Sequence, residues 1–287
     1  MSLVQLRSAV LEWYRPRRHA YAWRRGRRSA YRTLVSEVML QQTQAVRVEP
    51  AFEAFIARFP DVGALARALR ADVVRAWAGL GYNRRAVALH EAARAIVCDH
   101  GGQVPRDPDA LRRLPGVGPY TAAAVASIGH GEPFAAVDTN VRRICARAIH
   151  GAEPDEVSVD RLTRDAQTWL DPTVPGEWNQ ALMDLGRVHC RPAPRCEACP
   201  LEPHCPFRAA GRTGRPSGRR QSSFEGSARQ VRGAVVEVLR ARRSESAEAL
   251  AERTRHPPHA IASALRSLIA DGIVERTRSG RVRLAER

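Results

Sequence analysis

The 287-residue sequence contains no lysine; all 46 of its basic residues are arginine. Reactions that run through a lysine Schiff base are therefore excluded, and only the α-amino group remains for imine chemistry. Acids are also in short supply, at 30, which leaves a formal net charge of +16. A codon bias toward arginine explains the missing lysine but not the surplus over acids. That surplus implies a polyanionic partner, most simply nucleic acid. Long apolar runs are missing too: nothing approaches about 18 uninterrupted apolar residues, so no membrane-spanning helix is expected. The first residues, MSLVQLRSAVLEWYRPRR, place their arginines after their apolar residues, the reverse of a secretory signal, and a cytoplasmic protein is expected. With 44% hydrophobic residues the chain can nevertheless bury a sizeable core, which excludes a disordered chain or a disulfide-stapled miniature scaffold.

At roughly 150 residues per domain the length suggests two domains. From about 29 to 207 the sequence reads as short helices with tight connections and few alternating runs. Ser29 can cap a helix whose Tyr31, Leu34, Val35, Val38 and Met39 recur at helical spacing. Pro60-Asp61 opens another helix, Asp72 through Ala78 a further one, and Asp107-Pro108 one that ends at Leu114. Pro119 stands where a first-turn proline starts the next. Residues 208–227, rich in Gly, Ser, Pro and Arg, read as a solvated basic linker. Beyond it, helical segments near 228–243, 246–255 and 258–271 precede two alternating runs, 273–276 and 281–284, around Ser279-Gly280. Three helices and a hairpin suggest a winged helix, a variant of helix-turn-helix recognition that also serves protein contacts.

Four cysteines, Cys190, Cys196, Cys199 and Cys205, form a C-x5-C-x2-C-x5-C run that can converge on one metal centre. An intracellular setting disfavours disulfides. Structural zinc commonly uses two close ligand pairs, whereas this run has one close pair flanked by longer gaps, so a four-iron cluster is favoured over zinc. Cys98 and Cys145 sit on apolar helical faces and are expected to be buried spectators. Leu114-Pro115-Gly116-Val117-Gly118 joins two helices; its glycines let backbone N–H groups turn outward toward one DNA phosphate, although an ordinary helix–helix turn would look alike. Asp138, opening the helix of Thr139-Asn140, is a good N-cap, and an ionised carboxylate there also suits a developing oxocarbenium ion. Spacing does not separate the two roles. Glu37, Gln41 and Gln44 follow i, i+4, i+7 away from the apolar stripe, as a solvated face would. The uncharged cluster Gln41, Gln42, Thr43 and Gln44 is unusual in so arginine-rich a chain, since amides can wedge into a base stack and bond base edges.

Together SEVMLQQTQ at 36–44, GLGY at 79–82, LPGVGPYTAAAV at 114–125, VDTNV at 137–141, NQALMDLG at 179–186 and the cysteine run resemble the A/G-specific adenine DNA glycosylases of the helix-hairpin-helix superfamily, relatives of endonuclease III. The resemblance covers residues 1 to about 207. It implies a mainly α, two-lobed glycosylase domain over 1–207, divided into a helical lobe of 29–133 and an iron–sulfur lobe of 1–28 plus 134–207. The basic linker 208–227 and a small winged-helix-like α+β module at 228–287 follow. The implied activity is removal of adenine opposite 8-oxoguanine or guanine in duplex DNA by a bacterial, nucleoid-associated monomer with one [4Fe-4S] cluster. By motif position, Glu37 resembles the acid that protonates N7 of a flipped adenine and Asp138 the carboxylate that stabilises the cationic sugar. Tyr120 and Asn140 match supporting active-site positions. Gln42 and Tyr82 resemble residues that wedge the opened duplex, beside Gln41 and Thr43, and Gly116, Val117 and Gly118 the DNA-binding hairpin.

Two alternatives from the same superfamily are disfavoured. Endonuclease III-type lyases carry a lysine at the position of Tyr120, so strong lyase activity is not expected. Thymine or uracil mismatch glycosylases lack the acid corresponding to Glu37, because a pyrimidine has no N7 to protonate. A non-catalytic iron–sulfur DNA-binding protein would have no need of Glu37, Tyr120, Asp138 and Asn140 together. The sequence departs from the family in three places: the first cysteine gap is one residue short, Asn83 follows Tyr82 where a second tyrosine is common, and Ala22 replaces the usual proline before Trp23. The winged-helix-like module also stands where many members carry a Nudix-like domain.

Overall fold

The structure, a computed structural model, describes residues 3–215 and 223–286. In chain order it begins with helices α1 (Leu3–Tyr14), α2 (Ala30–Leu40), α3 (Ala45–Arg58), α4 (Val62–Arg67), α5 (Arg70–Ala76) and α6 (Arg84–Asp99). Next come α7 (Pro108–Arg112), α8 (Pro119–Ala124, continued by a π-helical turn over Val125–His130), α9 (Thr139–His150), α10 (Val159–Trp169), α11 (Pro175–Val188) and α12 (Pro206–Ala209). Helices α13 (Ala228–Ala241), α14 (Ala247–Thr254) and α15 (Pro258–Ala270) precede antiparallel strands β1 (Val274–Arg276) and β2 (Val282–Leu284). Among the described residues no helix is long and apolar enough to cross a membrane.

Local chemistry sets these boundaries. Asp61, Asp107, Asp138, Ser158, Ser227 and Ser246 each accept a hydrogen bond from the N–H three residues on, satisfying an amide the helix cannot, at about 1 kcal/mol apiece. Ser29 Oγ does the same for Arg32. Other readings needed correction. Helix α2 ends at Leu40, so Gln41 and Gln44 lie beyond it and the i, i+4, i+7 face does not form. Glu37 is buried rather than solvated. Cys98 is exposed, because α6 turns Ala92, Ala93 and Ile96 inward and Val97 and Cys98 out; Cys145 is buried. The segment begun by Asp72 starts two residues earlier, at Arg70. The head of the 208–227 stretch is pinned, with Arg212 Nη2 2.7 and 2.9 Å from the Glu156 carboxylate, while 216–222 lie outside the described residues.

The chain divides into two compact units. The first comprises residues up to Glu37, Pro105–Arg113 and the chain from Val117 onward through α12. Its core joins Val10, Leu11 and Tyr14 of α1 to Ile144, Leu162, Trp178, Leu182 and Leu185 of α9–α11. The second comprises Val38–Val104, Leu114–Gly116 and the C-terminal region. There Ala71, Val74 and Val87 of α5 and α6 share one apolar cluster with Val235, Val236, Leu239, Ile261 and Leu265. Within the first unit, Arg147 and Glu153 form a buried pair with side chains only 2% and 5% exposed. The guanidinium also donates to the Arg191 and Pro192 carbonyls at 2.5 and 2.9 Å, tying α9 to the loop of the cysteine run. Burying an ion pair costs desolvation, but removing one member costs more. Arg147→Met, which strands the Glu153 carboxylate, should lower unfolding free energy by about 3–5 kcal/mol in urea titration, and adding Glu153→Leu should recover part of it. A loss under about 1 kcal/mol would contradict this accounting.

Candidate active site

Glu37, in the last turns of α2, is 7% exposed. Tyr120, in the first turn of α8, donates its hydroxyl proton to Glu37 Oε2 at 2.8 Å, and the Tyr120 hydroxyl oxygen lies 3.6 Å from Met183 Sδ on α11. Burial pushes the Glu37 carboxyl from 4.5 up to about 7. The Tyr120 hydrogen bond and the charge of Arg24 pull it down, while the charge of Asp138 adds to the rise. Burial, with the neighbouring Glu37 and Asp138 charges, also holds the Tyr120 hydroxyl well above its ordinary value, so it stays a donor. Arg24 is engaged elsewhere, bidentate to Asp184 at 2.7 and 3.2 Å.

Asp138 accepts from two donors: Val141 N–H reaches Oδ1 at 2.7 Å and Asn140 Nδ2 reaches Oδ2 at 2.8 Å. The Asn140 amide is oriented from behind, since its Oδ1 accepts from Arg143 Nη2 at 2.7 Å. Arg143 in turn donates to the carbonyls of Gly186, at 3.1 Å, and Cys190, at 2.6 Å. Gly186 leaves room for this arrangement, because a Cβ there would stand 2.5 Å from Asn140 Cβ. Glu37, Tyr120, Asp138 and Asn140 thus fall in one unit and interact. Arg24, Asp184 and Arg143 complete the set, and no sequence signal distinguished them.

Of the expected DNA-facing residues, Gln41, Gln42, Thr43, Tyr82 and Gly116 fall in the second unit, and Val117 and Gly118 in the first. Gln42, which is exposed, and Tyr82, 42% exposed, both adopt left-handed backbone conformations, with φ of 56° and 44°. Such strain in a residue other than glycine, on the order of 1–3 kcal/mol, persists only where the surroundings impose it. Here Arg85 imposes it. Its Nη1 donates to the carbonyls of Val38, Met39 and Gln41 at 2.9, 2.8 and 2.5 Å. Its Nη2 reaches Thr43 Oγ1 at 2.9 Å and the Leu80 and Gly81 carbonyls at 3.1 and 3.3 Å. One guanidinium therefore ties the end of α2 to the GLGY turn. Burial lowers its pKa to about 10, which leaves it charged at neutral pH. Gln41 Nε2 donates to the Gly116 carbonyl at 3.4 Å. Gly116 has φ of 75°, and a Cβ there would stand 2.8 Å from Ala88 Cβ, so the fold requires glycine. Gly118, with φ of −88° and open space around its missing Cβ, is not required by the fold. Val117 between them is buried.

All four cysteines of the run line one pocket beside Ile144, Arg147 and Leu201. Six described cysteines are free thiols, and burial pushes the Cys199 thiol up to about 12. Among the described residues no three His, Cys, Asp or Glu side chains converge tightly enough to enclose a single ion.

Residues 35–170 match the profile of the HhH-GPD superfamily base excision DNA repair proteins. The adenine DNA glycosylase of Mycolicibacterium smegmatis is 45% identical over 232 residues, spanning 80% of this chain and 79% of that one. The human adenine DNA glycosylase is 41% identical over 210 residues, 69% of this chain and 38% of the human protein. Among solved structures, a thermostable thymine-DNA glycosylase superposes with a TM-score of 0.67 at 29% identity, covering 72% of this chain and 97% of that one. A trapped endonuclease III–DNA covalent intermediate shares the fold, with a TM-score of 0.59 at 22% identity over 73% of this chain and 99% of that one. Fold and profile together define a helix-hairpin-helix enzyme of base excision repair. Within that superfamily, the chain belongs to the adenine DNA glycosylase family.

The native fold keeps a proton on Glu37 that the unfolded chain releases between pH 4.5 and about 7. Stability must therefore fall as pH rises through that window, by roughly 3 kcal/mol, and stay low above it. Glu37→Gln should stabilise the protein by about that amount at pH 8 and by almost nothing at pH 4, read by urea unfolding. Equal stability of the two proteins at pH 8 would show that the carboxyl is not held neutral.

Proposed function

We propose that the protein is a monofunctional glycosylase that removes adenine paired with 8-oxoguanine or guanine in duplex DNA. The observation that carries this is Glu37, a carboxyl buried to a pKa of about 7 and hydrogen-bonded by Tyr120. Adenine leaves poorly as an anion, so a general acid is needed. Glu37 gives its proton to N7 of the extruded base and the C1′–N9 bond breaks; Asp138, held by Val141 and Asn140, faces the cationic sugar. Water then adds to C1′ and returns a proton to the Glu37 carboxylate, leaving free adenine and an abasic site. With Tyr120 where a lyase needs lysine, the reaction ends there. A thymine or uracil glycosylase would find no use for a protonated Glu37.

Gln41, Gln42, Thr43 and Tyr82 are assigned to the opened duplex. Gln42 and Tyr82, exposed on strained turns, suit a wedge that offsets the cost of base extrusion, a matter of about a few kcal/mol and least for a mispair. Gly118, which the fold leaves free to carry a side chain, marks with Gly116 and Val117 where a backbone could meet a phosphate. The same proposal includes a bacterial cytoplasmic monomer acting at the nucleoid, and the division into glycosylase domain 1–207, linker 208–227 and winged-helix module 228–287.

Cys190, Cys196, Cys199 and Cys205 would hold a [4Fe-4S] cluster, whose contribution when bound is to cross-link the loop through four thiolates. A zinc ion would need every sulfur about 2.3 Å from one point, whereas a cluster takes each thiolate on a separate iron. Four cysteines that share one pocket suit the cluster.

Glu37→Gln and Asp138→Asn should each abolish adenine release from an A·8-oxoguanine duplex in single-turnover assays while binding persists. For the unsubstituted enzyme the rate should decline above about pH 7, as Glu37 loses its proton. Full turnover by Glu37→Gln would remove the assigned acid. Elemental analysis should find about four irons per chain, with Cys199→Ala losing most of them, and zinc in their place would refute the cluster.

A further inference from the structure

The glycosylase chemistry leaves the C-terminal region without a task. Its topology is that of a winged helix: α13, a single bridging residue, α14, α15, then β1 and β2. The N–H and C=O of Glu245 pair with Val282 at 2.9 and 2.8 Å, an isolated antiparallel bridge on β2. In helix-turn-helix docking the second helix of the pair, here α15, is the one presented to a DNA groove.

Ile261, Ala264, Leu265 and Leu268 of α15 are buried, so its outer face carries His259, Ala262, Ser263 and Arg266. These are short side chains around one arginine, and the helix contains no acid in thirteen residues. An ordinary solvated face mixes signs, as α10 does with Asp160, Arg161 and Arg164. The acids of the module are largely paired inward: Glu245 with Arg242, Arg253 and Arg281, Glu275 with Arg283, and Asp271 with Arg232. Glu248 bonds at the start of its own helix, and Glu252 remains on α14. Arg255, Arg266, Arg276 and Arg278 are exposed, and none of them forms an ion pair among the described residues, where the module's pairs use other arginines. They occupy the α14–α15 turn, the outer face of α15, and the β1–β2 wing that ends in Ser279-Gly280. Arg255 takes φ of 56° at a helix C-terminus, a place where glycine would relieve the strain.

The module is not tethered loosely. Its apolar cluster continues into α5 and α6, Arg70 Nη1 donates to the Gly272 carbonyl at 3.2 Å, and Arg240 Nη2 donates to Asn83 Oδ1 at 2.8 Å. Asn83 is the residue after Tyr82, so the winged helix and the GLGY turn share one frame.

We propose that α15 and the β1–β2 wing form a second duplex-DNA surface, which grips phosphates of undamaged DNA through Arg255, Arg266, Arg276 and Arg278. Charge favours DNA over a protein partner, since four unpaired cations beside short side chains match a phosphate backbone and a groove wall. The surface rests on the glycosylase reading only in that duplex DNA is the ligand.

The test uses the full chain with Arg266→Gln, Arg276→Gln and Arg278→Gln combined, and separately Ala262→Glu, each checked for unchanged thermal unfolding. Binding to an undamaged duplex is followed by fluorescence anisotropy across a salt series. The triple variant should lower the slope of log affinity against log salt by about 2.7, at about 0.9 per lost contact, and weaken binding on the order of tenfold near physiological salt. Ala262→Glu should weaken binding comparably, although it changes net charge by one. Single-turnover base release at saturating enzyme should be unaffected in both. Unchanged slope and affinity in the triple variant, or full-strength binding by Ala262→Glu, would overturn the proposal and leave the face to a protein partner or to solvent. Binding to undamaged DNA requires no base removal, so a chain that released no adenine yet lost DNA on these substitutions would refute the glycosylase reading alone.

Discussion

A carboxyl group buried beside a tyrosine hydroxyl sets the terms for the rest of this site. Burial alone would leave Glu37 neutral, and a strong ion pair would leave it charged; neither extreme gives an acid useful near pH 7. The position at about 7 follows from burial, the largest influence, only partly offset by the others. Desolvation and the charge of Asp138 favour the proton, while the Tyr120 hydrogen bond and Arg24 favour its loss. Arg24 is kept from settling the matter because Asp184 takes both arms of its guanidinium. Replacing Asp184 would free a cation next to the acid, so a residue with no contact to Glu37 helps to hold its proton.

The second constraint is mechanical. Gln42 and Tyr82 stand on backbone conformations that their side chains disfavour, and the strain has to be offset nearby. Arg85 offsets it with six acceptors shared between the two turns, each a charge-assisted hydrogen bond of the stronger kind. The carbonyls at the end of α2 would otherwise be orphaned where the helix stops. The same guanidinium therefore ends the helix, closes the turn and fixes the register of both exposed side chains. A lysine could not replace it, because a point charge with three donors does not span two loops.

Features whose signal is local were legible in the sequence. Caps at Ser29, Asp61, Asp107 and Asp138 act over three residues, and the structure has them at those positions. The winged-helix helices and hairpin also appear within two residues or so of the expected ends, because turn chemistry and periodicity mark them. What was illegible depends on residues far apart in the chain. Arg24, Arg85, Arg143 and Arg147 look like any of the other arginines until the fold brings carbonyls and carboxylates around them. The polar run after Leu40 continued a helical period, yet the helix stops there, because Arg85 captures carbonyls that a longer helix would need. Cys98 misled for a simpler reason: one turn of α6 has apolar residues on both sides, and the pattern does not say which side faces in.

The net charge of +16 also changes meaning once the structure is known. Composition treats every arginine as surface available to a polyanion. Arg85, Arg143 and Arg147 instead spend their donors on backbone carbonyls, and Arg24 and Arg147 neutralise buried acids. Internal work of this kind needs cations but no DNA, so part of the surplus is architectural. The more informative quantity is the distribution of arginines left exposed without an acid. In the C-terminal module Arg255, Arg266, Arg276 and Arg278 fall on one turn, one helix face and one wing, while most of the acids beside them are turned to partners of their own. Clustering of unpaired charge costs self-repulsion in the free protein, a cost that contact with a polyanion reverses. Bulk basicity suggests nucleic acid; the pairing pattern says which surface would meet it.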